Sequence, residues 1–227
     1  MKKVLLATVL SLCVSSAFAA ETAVLKVKGT LTNSACTPEL SNGGVVDYGT
    51  IRLGELSATT VNQLGHKNID LTIACTAATK VSWNLVDDRA DSRAMISVSD
   101  KWFDGSSGIP PESQAYGVGL TDGGVKIGNY TMFVNLDSVT ADGKSVDSIY
   151  TQTGAGATSW VKSIAGSTQG ESYRDFTVAT TGTTEPLAFQ TATFPLTTSL
   201  AIQSTDMLAI TDDTKLDGQL TISLRYL

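Results

Sequence analysis

Few residues of this sequence are spaced for catalysis. His66 is its single histidine. It lies in the polar stretch Gly65-His66-Lys67-Asn68, and a Ser–His–Asp relay would have to use it. Serine and aspartate are too frequent to single out its partners, and no serine carries the glycine frame of a nucleophile elbow. The expectation is a solvent-facing loop histidine. A paired-carboxylate hydrolase would draw on Asp87, Asp88 and Asp91. Arg89 and Arg93 are interleaved with them, which predicts a solvated, self-paired turn. The same run lacks the regular oxygen-ligand spacing of an EF-hand. One histidine and two bridged cysteines leave no zinc set. The residues therefore predict no catalytic site, no metal and no cofactor.

The cysteines carry a different chemistry. Lys2 and Lys3 precede an apolar run over residues 4–14, and Ala17-Phe18-Ala19 is a small-x-small cleavage site. Residues 1–19 read as a secretory signal peptide. The run is too short for a permanent membrane anchor. Removing Lys2 and Lys3 takes the formal charge from −6 to −8. Such an acidic chain argues against nucleic acid or anionic lipid as a partner. Of the three cysteines, Cys13 falls within the leader. Cys36 and Cys75 then form an even pair in an oxidising compartment and read as one disulfide.

The elements that must position these residues read as strands. Leu220, Ile222, Leu224 and Tyr226 alternate with Gln219, Thr221, Ser223 and Arg225, the period of a half-buried strand. Ala23, Leu25, Val27, Gly29 and Leu31 alternate with Lys26, Lys28 and Thr30 in the same way near the other end. Ile69, Leu71, Ile73 and Cys75 make residues 68–75 a strand. Val81, Trp83 and Leu85 make another, joined to it by a link short enough for an antiparallel hairpin. Residues 45–53, interrupted by Gly49, predict a kinked or edge strand, and Pro38 predicts a break in pairing. Further strands fall at Tyr116 to Leu120, Tyr130 to Leu136, residues 176–179 and residues 189–202, where Pro195 marks a bulge or an edge. Residues 137–170 read as a long polar elaboration with residues 160–164 as its apolar point. No helix, repeat or domain linker stands out. Short strands punctuated by turns predict an all-β sandwich in one elaborated domain over residues 34–227.

At this point the sequence resembles the subunits of chaperone–usher fimbriae. The motifs are Lys28-Gly29, then Asn33-Ser34-Ala35-Cys36, Val46-Asp47-Tyr48-Gly49, a second cysteine ending a strand, and Gly218 to Leu227 with tyrosine at the penultimate place. Cys36-Thr37-Pro38, Leu64-Gly65, Lys67-Asn68 and Leu216-Asp217-Gly218 are similar to a fimbrial-like branch that includes the GltF protein. The resemblance rests on the first ninety residues and the last fifteen.

That resemblance implies an incomplete immunoglobulin-like (pilin-type) β-sandwich with long loop elaborations, lacking one strand. Residues 20–33 would be a donor strand with Ala23, Leu25, Val27, Gly29 and Leu31 facing the groove of a neighbouring subunit. Gly218, Leu220, Ile222, Leu224, Tyr226 and Leu227 would line this chain's own acceptor groove and pair with a chaperone strand. The partners implied are a periplasmic chaperone, an outer-membrane usher and neighbouring pilus subunits. The protein would be exported, held in the periplasm during assembly, and then placed in a fimbrium at the cell surface for adhesion. The same branch implies a second reading, a free periplasmic binding or regulatory protein linked to nitrogen and glutamate metabolism. Trp102, Tyr150, Trp160 and Tyr173 would then be candidates for a binding surface.

Overall fold

A computed structural model describes Lys28, residues 35–152 and residues 159–227. The compact unit spans Ser34–Leu227. Residues 1–19 and the donor residues Ala23, Leu25, Val27, Gly29 and Leu31 lie outside the described residues.

The fold is an all-β sandwich. Its strands in chain order are β1 (Cys36–Leu40), β2 (Asn62–Thr79), β3 (Val81–Asp87), β4 (Tyr116–Gly117), β5 (Gly128–Val134), β6 (Thr140–Ala141), β7 (Lys144–Ser145), β8 (Asp147–Gln152), β9 (Val161–Lys162), β10 (Arg174–Ala179), β11 (Phe189–Ile202) and β12 (Leu220–Tyr226). One four-residue helix, α1 (Thr205–Leu208), follows β11. The first sheet runs β1-β2-β11-β5-β4, with β6 also paired to β11 and β7 paired to β6. The second runs β12-β3-β10-β8-β9. All pairings between named strands are antiparallel.

Alternation explains the core. Leu71 and Ile73 of β2, Phe194 and Leu196 of β11, and Val81, Trp83 and Leu85 of β3 are all buried. Trp83 stacks on Phe176 at 5.1 Å between ring centroids and meets Phe194 of the opposite sheet edge-on at 5.6 Å. These aromatics bury large areas and join the two layers. Gly65, at φ 78°, takes the left-handed conformation beside a register slip between β2 and β11. The slip keeps the apolar face of a long strand turned inward.

Several expectations are corrected here. Strands β2 and β3 are not a hairpin. Only Lys80 separates them, too little for a hairpin loop, and the chain passes from one sheet to the other at that residue. Residues 45–50 form no strand, and Leu53–Glu55 is a 3₁₀ turn. Pro38 does not break pairing: it stays opposite Ile73. Its missing N–H falls on the side of β1 away from β2, so the ladder loses nothing. Pro195 marks neither bulge nor edge. It sits in central β11, where the neighbouring strand changes from β6 to β5, and its carbonyl accepts from Asn135 N. The stretch 137–170 is not all elaboration either. Strand β8 is fully in the second sheet with Ile149 buried, whereas Ile164 is 81% exposed.

Residues 94–108 form a strap across the outer face of the first sheet. Three neighbouring strands hold it with side chains that mimic strand pairing. Asn129 of β5 accepts from Ile96 N and donates to Ile96 O. Gln63 of β2 donates to Ser97 O and accepts from Ser99 N. Ser199 of β11 donates to Ser99 O at 2.7 Å. The strap is closed on itself by bonds in both directions between Val98 and Gly108.

Candidate functional site

Among the described residues, the two sheets are not closed on one side. Strand β1 is the edge of the first sheet and β12 the edge of the second, and they face each other. Between them lies a groove of about 530 Å³, with Leu40, Leu71, Leu220 and Ile222 on its floor and Pro38 and the Ser41–Gly44 turn on its wall. Leu220, Ile222 and Leu224 pack against the main core yet are only half-buried.

The register shows which backbone groups line the groove. Gln219 O accepts from Asp88 N, and Leu227 N donates to Lys80 O, so the odd-numbered residues of β12 bond to β3. The N–H and C=O groups of Leu220, Ile222, Leu224 and Tyr226 therefore point away from β3 into the groove. Among the described residues, no strand pairs with that edge. On β1, Ala35 O accepts from Thr76 N. The peptide groups of Cys36, Pro38 and Leu40 thus also face the groove, and Pro38 brings no donor.

The groove differs at its two ends. At one, Cys36 N donates to the Tyr226 hydroxyl at 2.8 Å, tying one sheet edge to the other. The Cys36–Cys75 disulfide sits at that end too, between directly opposed residues of β1 and β2. At the other end, by Leu40 and Leu220, the groove is open.

Strand β12 is pinned from its far face and from its lead-in. Arg225 donates to Asp175 of β10 at 2.6 Å, and Asn84 of β3 donates to the other Asp175 oxygen at 2.7 Å. Burial raises the Asp175 carboxyl above the usual range, against the lowering effect of Asn84 and then Arg225. Arg89 grips both Asp217 oxygens, at 2.8 and 3.2 Å, and Thr221 donates to Asp88. The Arg89 hydrogen bond holds the Asp217 carboxyl below its usual range. The run Asp87 to Arg93 is therefore not a solvated, self-paired turn. Asp87 is buried, its oxygens accept from Arg89 N and Gly117 N, and burial pushes its carboxyl up.

Some predicted residues stand apart from the groove. Gly218 precedes β12, where an added Cβ would lie 3.1 Å from the Tyr130 ring and 3.2 Å from Gly117 O. Its lack of a side chain serves packing at the lead-in. Leu227 follows β12 and is 50% exposed. His66 lies within β2 and not in a loop. Its Nε2 is 3.1 Å from Asp100 O and its ring meets Phe133 edge-on. Tyr150 packs on Phe176 and under Arg174, whereas Tyr173 is exposed. Sequence reasoning missed Leu40, Leu71 and the Ser41–Gly44 turn as parts of the groove. The Ser-Asn-Gly-Gly run was the available signal, since Asn42, Gly43 and Gly44 all take positive φ there.

Residues 25–131 match a sequence family described as "Protein of unknown function (DUF1120)". Over 222 residues the chain is 32% identical to Protein GltF of Escherichia coli (strain K12), covering 89% of this chain and 87% of GltF. The chain belongs to this family. It is also 30% identical to the uncharacterized protein YhcF of the same strain, over 226 residues and 93% of each chain. The DUF1120 match takes in β1, β2, β3 and the strap, and β12 lies beyond it.

Proposed function

We propose that this DUF1120 protein is a structural subunit of a chaperone–usher fimbrium that accepts a donor strand in the groove between β1 and β12. The observation that supports this reading is the unpaired edge of β12 above an apolar floor. Four alternate residues with groove-facing backbone groups and three half-buried aliphatic side chains await one partner. An open edge of this kind pairs with other chains unless it is filled. Adding a strand supplies backbone hydrogen bonds for affinity and alternate side chains for register.

The chain's own residues 20–33 have the matching pattern and would fill the groove of a neighbouring copy. Antiparallel pairing with β12 runs the donor from the Tyr226 end to the Leu220 end. It sets the bulky Leu31 toward the open pocket lined by Leu40, Leu71, Leu220 and Ile222, and the small Ala23 toward the end bridged by Tyr226. Before assembly a periplasmic chaperone would hold the same groove, and an outer-membrane usher would pass the subunit to the cell surface.

The test uses oxidised residues 20–227 with and without a peptide of residues 20–32. The expected result is a complex that resists detergent on a gel and unfolds at higher temperature. At a peptide concentration 100 times Kd the gain is about 2.7 kcal/mol. A stable monomer that ignores the peptide overturns this reading in favour of a free periplasmic protein.

A further inference from the structure

The hydrogen bond from Cys36 N to the Tyr226 hydroxyl joins two strands that have no ladder between them. Of the groove-facing residues of β1, Pro38 has no N–H, so Cys36 and Leu40 hold the only donors there. The Tyr226 hydroxyl occupies one of them. Strand spacing is about 4.8 Å, so a gap that admits one strand is about twice that. At the Cys36 end this gap is crossed by a side chain instead.

We propose that Tyr226 is the latch and register stop of the groove, a role that rests on the strand-acceptor reading. In the empty groove its hydroxyl takes the place of the absent strand at Cys36. An incoming strand seats first against Leu40, Leu220 and Ile222, where no hydrogen bond among the described residues bridges the edges. It pairs with Cys36 only after the Tyr226 hydroxyl lets go. The latch thus decides how much of a strand is held. A short segment fills the open end and leaves the latch closed, whereas a long one must break it. Specificity for length follows, because only a strand that continues past Leu224 recovers the Cys36 donor.

The experiment compares the unmodified chain with Tyr226→Phe, both as oxidised residues 20–227. Two peptides are used, residues 20–32 and the shorter residues 27–32, together with hydrogen exchange at the Cys36 and Leu40 amides. The expected result is that Tyr226→Phe speeds capture of the long peptide about two- to tenfold, the worth of one net hydrogen bond. Capture of the short peptide is unchanged. The Cys36 amide of the empty protein exchanges more slowly than that of Leu40, and Tyr226→Phe removes the difference. If both peptides bind but neither their rates nor Cys36 exchange responds to the substitution, the latch is overturned and the strand-acceptor reading stands. If no peptide binds either protein, both fall. Should Tyr226→Phe fail to fold, exchange in the unmodified protein decides alone: a Cys36 amide as open as that of Leu40 overturns the latch.

Discussion

Arg225 reaches across β3 to Asp175, with Nη1 2.6 Å from Oδ2, and so ties edge strand β12 to the third strand of its sheet. The Asp175 side chain is 2% exposed and that of Arg225 49%. Half of the pair is open to solvent, which discounts its worth below that of a fully buried ion pair. Truncating the arginine leaves a buried carboxylate with Asn84 as its remaining side-chain donor. Arg225→Ala is expected to cost about 1–3 kcal/mol, read by denaturant unfolding at pH 7. Asp175→Asn keeps a hydrogen-bonding group without the charge and is expected to cost less. Equal costs for the two would show that the carboxylate left unpaired by Arg225→Ala carries no penalty of its own.

The same carboxyl sets a pH dependence. Burial raises Asp175 above its ordinary value of 3.8, so the folded protein holds this proton more tightly than the unfolded chain does. Its contribution to stability is fully present below the unfolded value and is lost as the pH rises through the folded one. Removing Arg225 removes a lowering influence and raises the carboxyl further. The penalty of Arg225→Ala is therefore expected to be larger at pH 7 than at pH 4. Unfolding curves at the two values check it, and a penalty that grows toward pH 4 would reverse the sign argued here.

The disulfide bears on the groove because β1 is a five-residue edge strand. Cys36 and Cys75 are 39 residues apart in sequence. Closing a loop of that length is worth about 4 kcal/mol by chain entropy. The double substitution Cys36→Ser, Cys75→Ser is expected to lose that much in denaturant unfolding. It is also expected to raise hydrogen exchange in β1 more than in β11. Uniform loss across both strands would mean that the bridge stabilises the whole domain and not this edge.

Much of this architecture is legible in the sequence where alternation is clean. The pattern Leu220, Ile222, Leu224, Tyr226 gives β12 and its inward face, and the cysteine pair gives the bridge from β1 to β2. The groove itself is not legible. Leu40 and Leu71 meet Leu220 only because two sheet edges converge, and such a meeting of distant segments leaves no local periodicity. The crossing at Lys80 is hidden for the same reason, since a short polar link fits a hairpin as well as a sheet change. Asp87, Asp88 and Arg89 look solvated by composition. Their partners Gly117, Asp217 and Thr221 lie far along the chain, and tertiary contact overrides the local pattern.

The strap over residues 94–108 depends on side chains acting as backbone. Asn129 is fully buried, and its amide both accepts from Ile96 N and donates to Ile96 O. Asn129→Ala removes both bonds and leaves the Ile96 peptide group short of partners. A cost of about 2–3 kcal/mol is expected. Faster exchange at Ile96 and Ser99 is expected as well, with β12 unchanged. Exchange that rises equally in β12 would show that the strap and the groove unfold as one unit.

Strand β4 meets the chain after β3 at the closest approach that governs the β12 lead-in. A Cβ added at Gly117 would overlap Arg89 O and the Ser92 hydroxyl, and Gly117 N donates to Asp87 at 3.0 Å. The obstruction is largely backbone, which no rotamer change relieves. Gly117→Ala must therefore push β4 away from residues 89–92 and take the Asp87 hydrogen bond with it. A buried carboxylate short of a donor adds to the steric cost. The expected loss is about 3–5 kcal/mol, at the severe end for a single substitution. Arg89 and Asp217 hold the start of β12 from this same place. The substitution is thus also expected to weaken capture of the residue 20–32 peptide. A Gly117→Ala protein with unchanged stability would place β4 farther from Arg89 than the structure does.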